Sequence, residues 1–142
     1  MKHFFLDTNV ILDFLIERGD FSLDAEQLFQ LAIQKKCKMY CSALSYSHLF
    51  YITRKIHGVA RAKKNIQTLL TLISALPVDE SHIQDSLRAS FQDLEDGIQY
   101  HCCLQNKKID ALITRDNKAF PRKKMAILNV KEALHLVSIN GK

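Results

Sequence analysis

The chain has 142 residues, 47% hydrophobic and 25% charged, with four Gly, two Pro and no Trp. A chain of this length buries roughly 70% of the surface its unfolded form exposes, so it folds without disulfides or a structural metal, and so little Gly and Pro excludes collagenous and low-complexity sequences. Twenty Lys plus Arg against fifteen Asp plus Glu give a formal charge of +5, which favours a polyanionic partner.

His3 to Leu6 is a short Phe-rich apolar run ending at an acidic turn, which predicts a buried first strand. A carboxylate at Asp7 comes before any signal-length apolar region, and no later stretch approaches membrane-spanning length. One domain over 1–142, cytoplasmic and away from membranes, is therefore expected. From Asn9 the residues Val10, Ile11, Phe14 and Leu15 recur at helical spacing, and Arg18-Gly19-Asp20 closes that helix. Ser22 is placed to cap a longer helix to about Lys36, with Ala25, Leu28, Phe29 and Ala32 on one face. Lys38 to Ser42 predicts strand two, and Ser45 or a neighbour caps a helix carrying Leu49, Ile52 and Ile56 that stops near Gly58.

A helix from about Ala60 to Ser74 precedes Leu76-Pro77-Val78, read as a third strand at a sheet edge because Pro77 lacks a backbone donor. Helices are expected at about Ser81 to Ala89 and Asp93 to Gln105, then a fourth strand from Ala111 to Thr114. Met125 to Leu128 makes a fifth strand and Lys131 to Leu136 a final helix. This alternation predicts a parallel α/β sheet covered on both faces. The four cysteines, Cys37, Cys41, Cys102 and Cys103, form no C-x-x-C pair and read as buried thiols.

In such a sheet the functional site lies beyond the carboxyl ends of the strands. Strand one delivers Asp7 there and strand four delivers Asp116, while the helix starting near Asp93 brings Asp93, Glu95 and Asp96 in its first turn. Clustered carboxylates raise one another's pKa and need a cation or a shared proton. Oxygen ligands of this kind suit Mg²⁺ or Mn²⁺, and such ions support phosphodiester hydrolysis. Local roles account for some of these residues equally well: Asp93 as an N-cap with Asp96 at N3, Glu95 as a solvated side chain, Asp7 as a cap of the following helix.

Four motifs in order resemble the PIN-domain ribonuclease family. They are Phe5-Leu6-Asp7-Thr8-Asn9-Val10-Ile11-Leu12-Asp13; Ser42-Ala43-Leu44-Ser45 at the second strand-to-helix turn; the D-x-E-D start Asp93-Leu94-Glu95-Asp96 with Gly97-Ile98-Gln99-Tyr100; and Ile113-Thr114-Arg115-Asp116-Asn117-Lys118-Ala119-Phe120. The resemblance implies a three-layer α/β/α sandwich with a five-stranded parallel sheet, a Mg²⁺ or Mn²⁺ site and endonucleolytic cleavage of RNA. Small members of this kind are similar to the VapC-type toxins of bacterial toxin-antitoxin pairs, which implies an antitoxin protein as partner and a homodimer.

Carried onto this chain, the resemblance makes Asp7, Asp96 and Asp116 the metal ligands, with Asp93 or Glu95 supporting them or holding a water. Thr8, Asn9 and Thr114 would orient the carboxylates, with Ser42 nearby, and Asp13 reads as structural. Arg115 would meet a phosphate or form an ordinary ion pair. The family's usual Glu on the helix after strand two is replaced by His48, which leaves three roles open: metal ligand, contact to an RNA phosphate, or packing against the sheet. Gly97, where the family usually has Ala, is expected to cost about 1 kcal/mol of helix stability.

Basic residues at Arg54-Lys55, Arg61-Lys63-Lys64, Lys107-Lys108 and Arg122-Lys123-Lys124 are expected to rim the acidic pocket and draw RNA. Tyr46, Tyr51 and Phe120 are candidate base-stacking groups, with core packing the stronger expectation for Tyr51 and Phe120. Leu49, Phe50, Ile52, Leu69, Leu70 and Leu72 suit either the core or a dimer interface. Two alternatives stand beside the nuclease. One is a PIN domain that binds RNA or protein without cutting, motivated by His48. The other is a haloacid-dehalogenase-like phosphatase with Asp7 as nucleophile, against which Asn9 stands where that family needs a second Asp.

Overall fold

The computed structural model describes residues 1–140. In chain order the elements are β1 (Lys2–Leu6), α1 (Thr8–Leu15), α2 (Phe21–Ile33), β2 (Cys37–Ser42), α3 (Ala43–His57), α4 (Val59–Leu72) and β3 (Ile73–Leu76). They continue with α5 (Glu80–Arg88), α6 (Leu94–Gln105), β4 (Ala111–Ile113), a single 3-10 turn (Asn117–Ala119), β5 (Ala126–Leu128) and α7 (Val130–Asn140). The five strands form one sheet in the order β3-β2-β1-β4-β5, and every neighbouring pair is parallel.

Side chains alternate across a strand, so each strand feeds two cores. Phe4, Leu6, Met39, Cys41, Ala111 and Ile113 face one side, against Val10, Ile11, Leu28, Phe29, Leu49, Leu69, Ala133 and Val137 of α1, α2, α3, α4 and α7. Phe5, Tyr40, Leu112 and Ile127 face the other, against Tyr100, Cys102 and Cys103 of α6. Helix α5 packs on α6, completing the three-layer α/β/α sandwich. All four cysteines are free and buried, and no helix among the described residues is long and apolar enough to cross a membrane.

Several boundaries differ from the sequence expectation. The third strand is Ile73–Leu76, not Leu76 to Val78, and α4 stops at Leu72. The chain passes from helix to extended backbone at Ile73 with no Gly or Pro to mark the change, so Leu69, Leu70, Leu72 and Ile73 read as one continuous helix by periodicity. The strand lies at the sheet edge as expected, but Pro77 follows it instead of sitting inside.

Helix α2 begins at Phe21 after Asp20 and ends at Ile33. Ser22 does not cap it, because its hydroxyl donates to the Gly19 carbonyl at 3.0 Å. Ser42, not Ser45, caps α3, its Oγ accepting from Ser45 N at 3.1 Å. Helix α7 is longer than expected, and Asn129 and Glu132 bracket its start reciprocally: Glu132 N donates to Asn129 Oδ1 at 2.8 Å and Asn129 N donates to Glu132 Oε1 at 2.9 Å.

Gly97 has a packing role the sequence reading did not assign. A Cβ there would stand 2.8 Å from Ser86 Cβ and 3.2 Å from Phe91 Cδ2, so its missing side chain is what lets α5 approach α6.

Candidate active site

Strand β1 is central, with β2 and β3 on one side and β4 and β5 on the other, so the strand order reverses between β1 and β4. Their carboxyl ends form the crevice where α/β sheets hold ligands, and Asp7 follows β1 there. Its backbone N–H still donates to the Ile113 carbonyl of β4 at 2.9 Å, and Thr114 N donates to Leu128 O of β5 at 2.9 Å. These ladder bonds fix Asp7 and Thr114 side by side.

Asp7 occupies the N-cap position of α1 but its carboxylate makes no capping hydrogen bond. Instead Thr114 Oγ1 donates to Asp7 Oδ2 at 2.9 Å, and the same Thr114 oxygen accepts from Asp116 N at 3.0 Å. One buried hydroxyl therefore sets both the Asp7 carboxylate and the backbone that carries Asp116. Burial raises the Asp7 pKa, and the Glu95 charge adds to it; the Thr114 hydroxyl, the Gln99 amide and the Asn9 N–H act in the opposite direction.

Asp93 accepts from Glu95 N at 2.8 Å and caps α6, as its local role predicts. Glu95 and Asp96 in the first turn are half-buried. The Asp96 carboxyl is pushed up to about 7, first by burial and then by the charges of Asp7, Asp93, Glu95 and Asp116. Asp116 Oδ1 accepts from Lys118 N at 3.2 Å. Asp93, Asp96 and Asp116 line a cleft of about 520 Å³ together with Ser90, Phe91, Gln92, Lys118 and Ala119.

The donor set is all carboxylate oxygen, and the neighbouring acids add to burial in raising the Asp96 pKa. Both features fit a hard divalent ion. Among the described residues, however, no three His, Cys, Asp or Glu groups stand together as a ready-made metal cluster. The acids share a field without yet converging on one point.

The remaining candidates divide between support for this site and other duties. Thr8 Oγ1 hydrogen bonds to Ser45 Oγ at 2.7 Å, and Ser45 Oγ in turn to Ser42 Oγ at 3.2 Å, so Ser42 and Thr8 belong to a buried hydroxyl network beneath the acids. Asn9 is exposed and its side chain and carbonyl accept from Arg18 Nη2 at 3.3 and 3.1 Å. Arg115 is held in an ion pair, its Nε 3.2 Å from Asp13 Oδ2, with its guanidinium over the Phe21 ring. The buried Asp13 also pairs with Arg18 Nε at 2.9 Å, which is the structural role expected of it. His48 Nδ1 meets the Glu95 carboxylate at 3.2 Å, a contact outside the three roles left open for it.

Sequence reasoning missed Gln99. Its side chain is buried in α6, and Oε1 accepts from Thr8 N at 3.3 Å. Its Nε2 is buried without a well-formed hydrogen bond, while the amide bears on Asp7. An amide side chain set between Ile98 and Tyr100 is the signal that would have found it.

The proposed basic rim is not continuous. Lys107 and Lys108 lead into the amino end of β4, and Arg122 to Lys124 approach the amino end of β5, at the edge of the sheet opposite the acids. Tyr46 is not a stacking group, since its hydroxyl donates to Ile73 O at 2.7 Å and its ring packs on the core. Phe120 is buried as expected, but Tyr51 is 50% exposed. Leu49 and Leu69 are fully inside, so neither can serve a dimer face.

Fold and site together define a parallel α/β domain with a carboxylate-rich crevice at the switch in strand order. A model of the PIN domain family matches residues 3–118, and the chain belongs to that family. The fold is similar to a chain of VapBC2 from Rickettsia felis, solved bound to a DNA fragment from their promoter, with a TM-score of 0.66 and 16% identity over 89% of this chain and 98% of that one. It is also similar to a chain of a toxin-antitoxin complex from Klebsiella pneumoniae, with a TM-score of 0.59 and 19% identity over 89% and 96% of the two chains. No curated protein sequence matches the chain. Family membership leaves the phosphatase alternative without support.

Proposed function

We propose that the protein is a Mg²⁺- or Mn²⁺-dependent endoribonuclease and the toxin of a toxin-antitoxin pair. The observation that carries this reading is the gathering of Asp93, Asp96 and Asp116 in one cleft, where burial first and then the charges of Asp7, Asp93, Glu95 and Asp116 push the Asp96 carboxyl up to about 7. Acids from three separate stretches of chain are kept close at a cost that a cation would offset. The two toxin-antitoxin complexes with the same fold support an antitoxin protein as partner.

Asp7, Asp96 and Asp116 would hold the ion, with Asp93 or Glu95 alongside. A bound divalent ion supplies Lewis-acid polarisation of the phosphodiester and a more acidic water. The chain's own part is positional. Thr114 fixes the Asp7 carboxylate and the Asp116 backbone. Lys118, in the same cleft, offers positive charge to a phosphate entering beside the acids. The Asp13–Arg115 pair ties α1 to the loop that bears Asp116.

Incubation of structured RNA with Mn²⁺ tests the reading: cleavage should be lost in Asp7→Asn and in EDTA, and cleavage unchanged by Asp7→Asn overturns it. Two observations favour a second reading, a PIN domain that binds without cutting: among the described residues the acids do not form a ready-made cluster, and His48 engages Glu95. Calorimetry separates the two, since RNA binding without any Mg²⁺ or Mn²⁺ uptake at millimolar concentration selects the binding module.

A further inference from the structure

We propose that the α3–α4 hairpin is a cationic arm that grips the backbone of single-stranded RNA beside the acidic cleft, with Tyr51 as the platform on which a base stacks. The choice of RNA rests on the nuclease reading above; the arm itself stands on charge and placement. From Gln27 to Val78 the sequence carries no Asp or Glu. The hairpin therefore bears only positive charge, and Arg54, Lys55, Arg61, Lys63 and Lys64 are all exposed. Among the described residues none of these five forms an ion pair with a carboxylate.

An exposed aromatic stands among them. Tyr51 has the Lys55 ammonium 4.1 Å from its ring centroid and the Arg54 guanidinium at 5.3 Å, and Lys55 Nζ donates to its hydroxyl at 2.8 Å. The ring is thus held in place with half its surface open, which is the arrangement of a base-stacking group flanked by phosphate contacts. His48, Tyr51 and Lys55 are spaced i, i+3 and i+7 and share one face of α3. Since His48 touches Glu95, that face starts at the acidic site and reaches Lys55 about 10 Å further along the helix. The same uniform charge opposes pairing of this face with a second copy of itself.

A labelled single-stranded RNA dodecamer, titrated in EDTA over a range of KCl concentrations, tests the arm without metal or cleavage. The doubly substituted Arg54→Gln, Lys55→Gln protein should bind more weakly and lower the slope of log affinity against log salt by about 1.4, near 0.7 for each lost phosphate contact. Tyr51→Ala should weaken binding about tenfold while Tyr51→Phe retains it. Lys107→Gln with Lys108→Gln, at the opposite sheet edge, should leave the slope nearly unchanged.

Hairpin variants that bind with wild-type affinity and slope overturn the proposal, as does an equal loss in the opposite-edge variant. Dissociation of a dimer by Tyr51→Ala in sedimentation, with RNA affinity unaltered, overturns it in favour of a second copy as occupant. Duplex DNA bound as tightly as the RNA, with the same dependence on Tyr51, removes the stacking role. Arm-dependent RNA binding by a wild-type protein that never cleaves would keep the arm and defeat the nuclease. Asp7-dependent cleavage with hairpin variants unaffected would do the reverse.

Discussion

His48 Nδ1 lies 3.2 Å from the Glu95 carboxylate, joining the second turn of α3 to the first turn of α6 across the acidic crevice. His48 thus engages one of the acids from a neighbouring element. Replacement by His48→Glu sets two carboxylates face to face. The expected result is a stability loss of about 1 kcal/mol in EDTA, most of it recovered in millimolar Mn²⁺, whereas His48→Gln, which keeps a donor, should stay within about 0.5 kcal/mol of wild type. Thermal melts with and without the ion measure both.

The raised Asp96 pKa makes stability depend on pH in a defined direction. The folded protein holds the Asp96 proton up to about 7, against an ordinary value of 3.8 for the free side chain. Its contribution is therefore complete below the unfolded pKa and is lost as pH rises through the folded one. Asp96→Asn, which cannot ionise, should leave stability nearly unchanged at about pH 4 and raise it by about 1 kcal/mol at about pH 8, a figure reduced for the partial solvent exposure of the group. Urea titrations at the two pH values give the comparison, and Mg²⁺ should stabilise the wild type more than Asp96→Asn.

Thr114→Val removes the donor to Asp7 and the acceptor of the Asp116 N–H while keeping the side-chain shape. A cost of about 1–3 kcal/mol is expected from the buried groups left unpaired. The Thr114 hydroxyl is the largest influence lowering the Asp7 pKa, so the onset of Mn²⁺ binding, followed by calorimetry across pH, should move to higher pH. Gln99→Met should act in the same direction, and in addition strand the Thr8 N–H that Gln99 Oε1 accepts.

Gly97→Ala separates helix propensity from packing. Propensity alone favours Ala by about 1 kcal/mol, but the added Cβ would meet Ser86 Cβ at 2.8 Å, and overpacking of this kind costs about 1–3 kcal/mol. A net destabilisation is expected in urea, partly reversed in the double substitution Gly97→Ala, Ser86→Gly.

The architecture was legible because it is written in local patterns. The run Phe4-Phe5-Leu6 before Asp7, the turn at Ser42 and the acids on either side of Leu94 each announce an element or its end, and alternation of strands with helices leaves few ways to build the sheet. Position then follows from topology: parallel strands put Asp7 and the segment Thr114 to Asp116 at one edge. Where local signals were missing the reading failed, as at Leu72 and Ile73, where no turn residue separates helix from strand.

What only the tertiary structure decided is which groups meet and which remain open to water. Thr114 binds Asp7 across 107 positions of sequence and His48 finds Glu95 across 47; periodicity carries no information about such partners, because they are chosen by helix packing and strand order. Burial is decided in the same way. Tyr51 and Phe120 read alike as aromatic residues in apolar company, yet one lies on the hairpin surface and the other under α6, since a side chain's exposure depends on which neighbouring element covers it and not on its own chemistry.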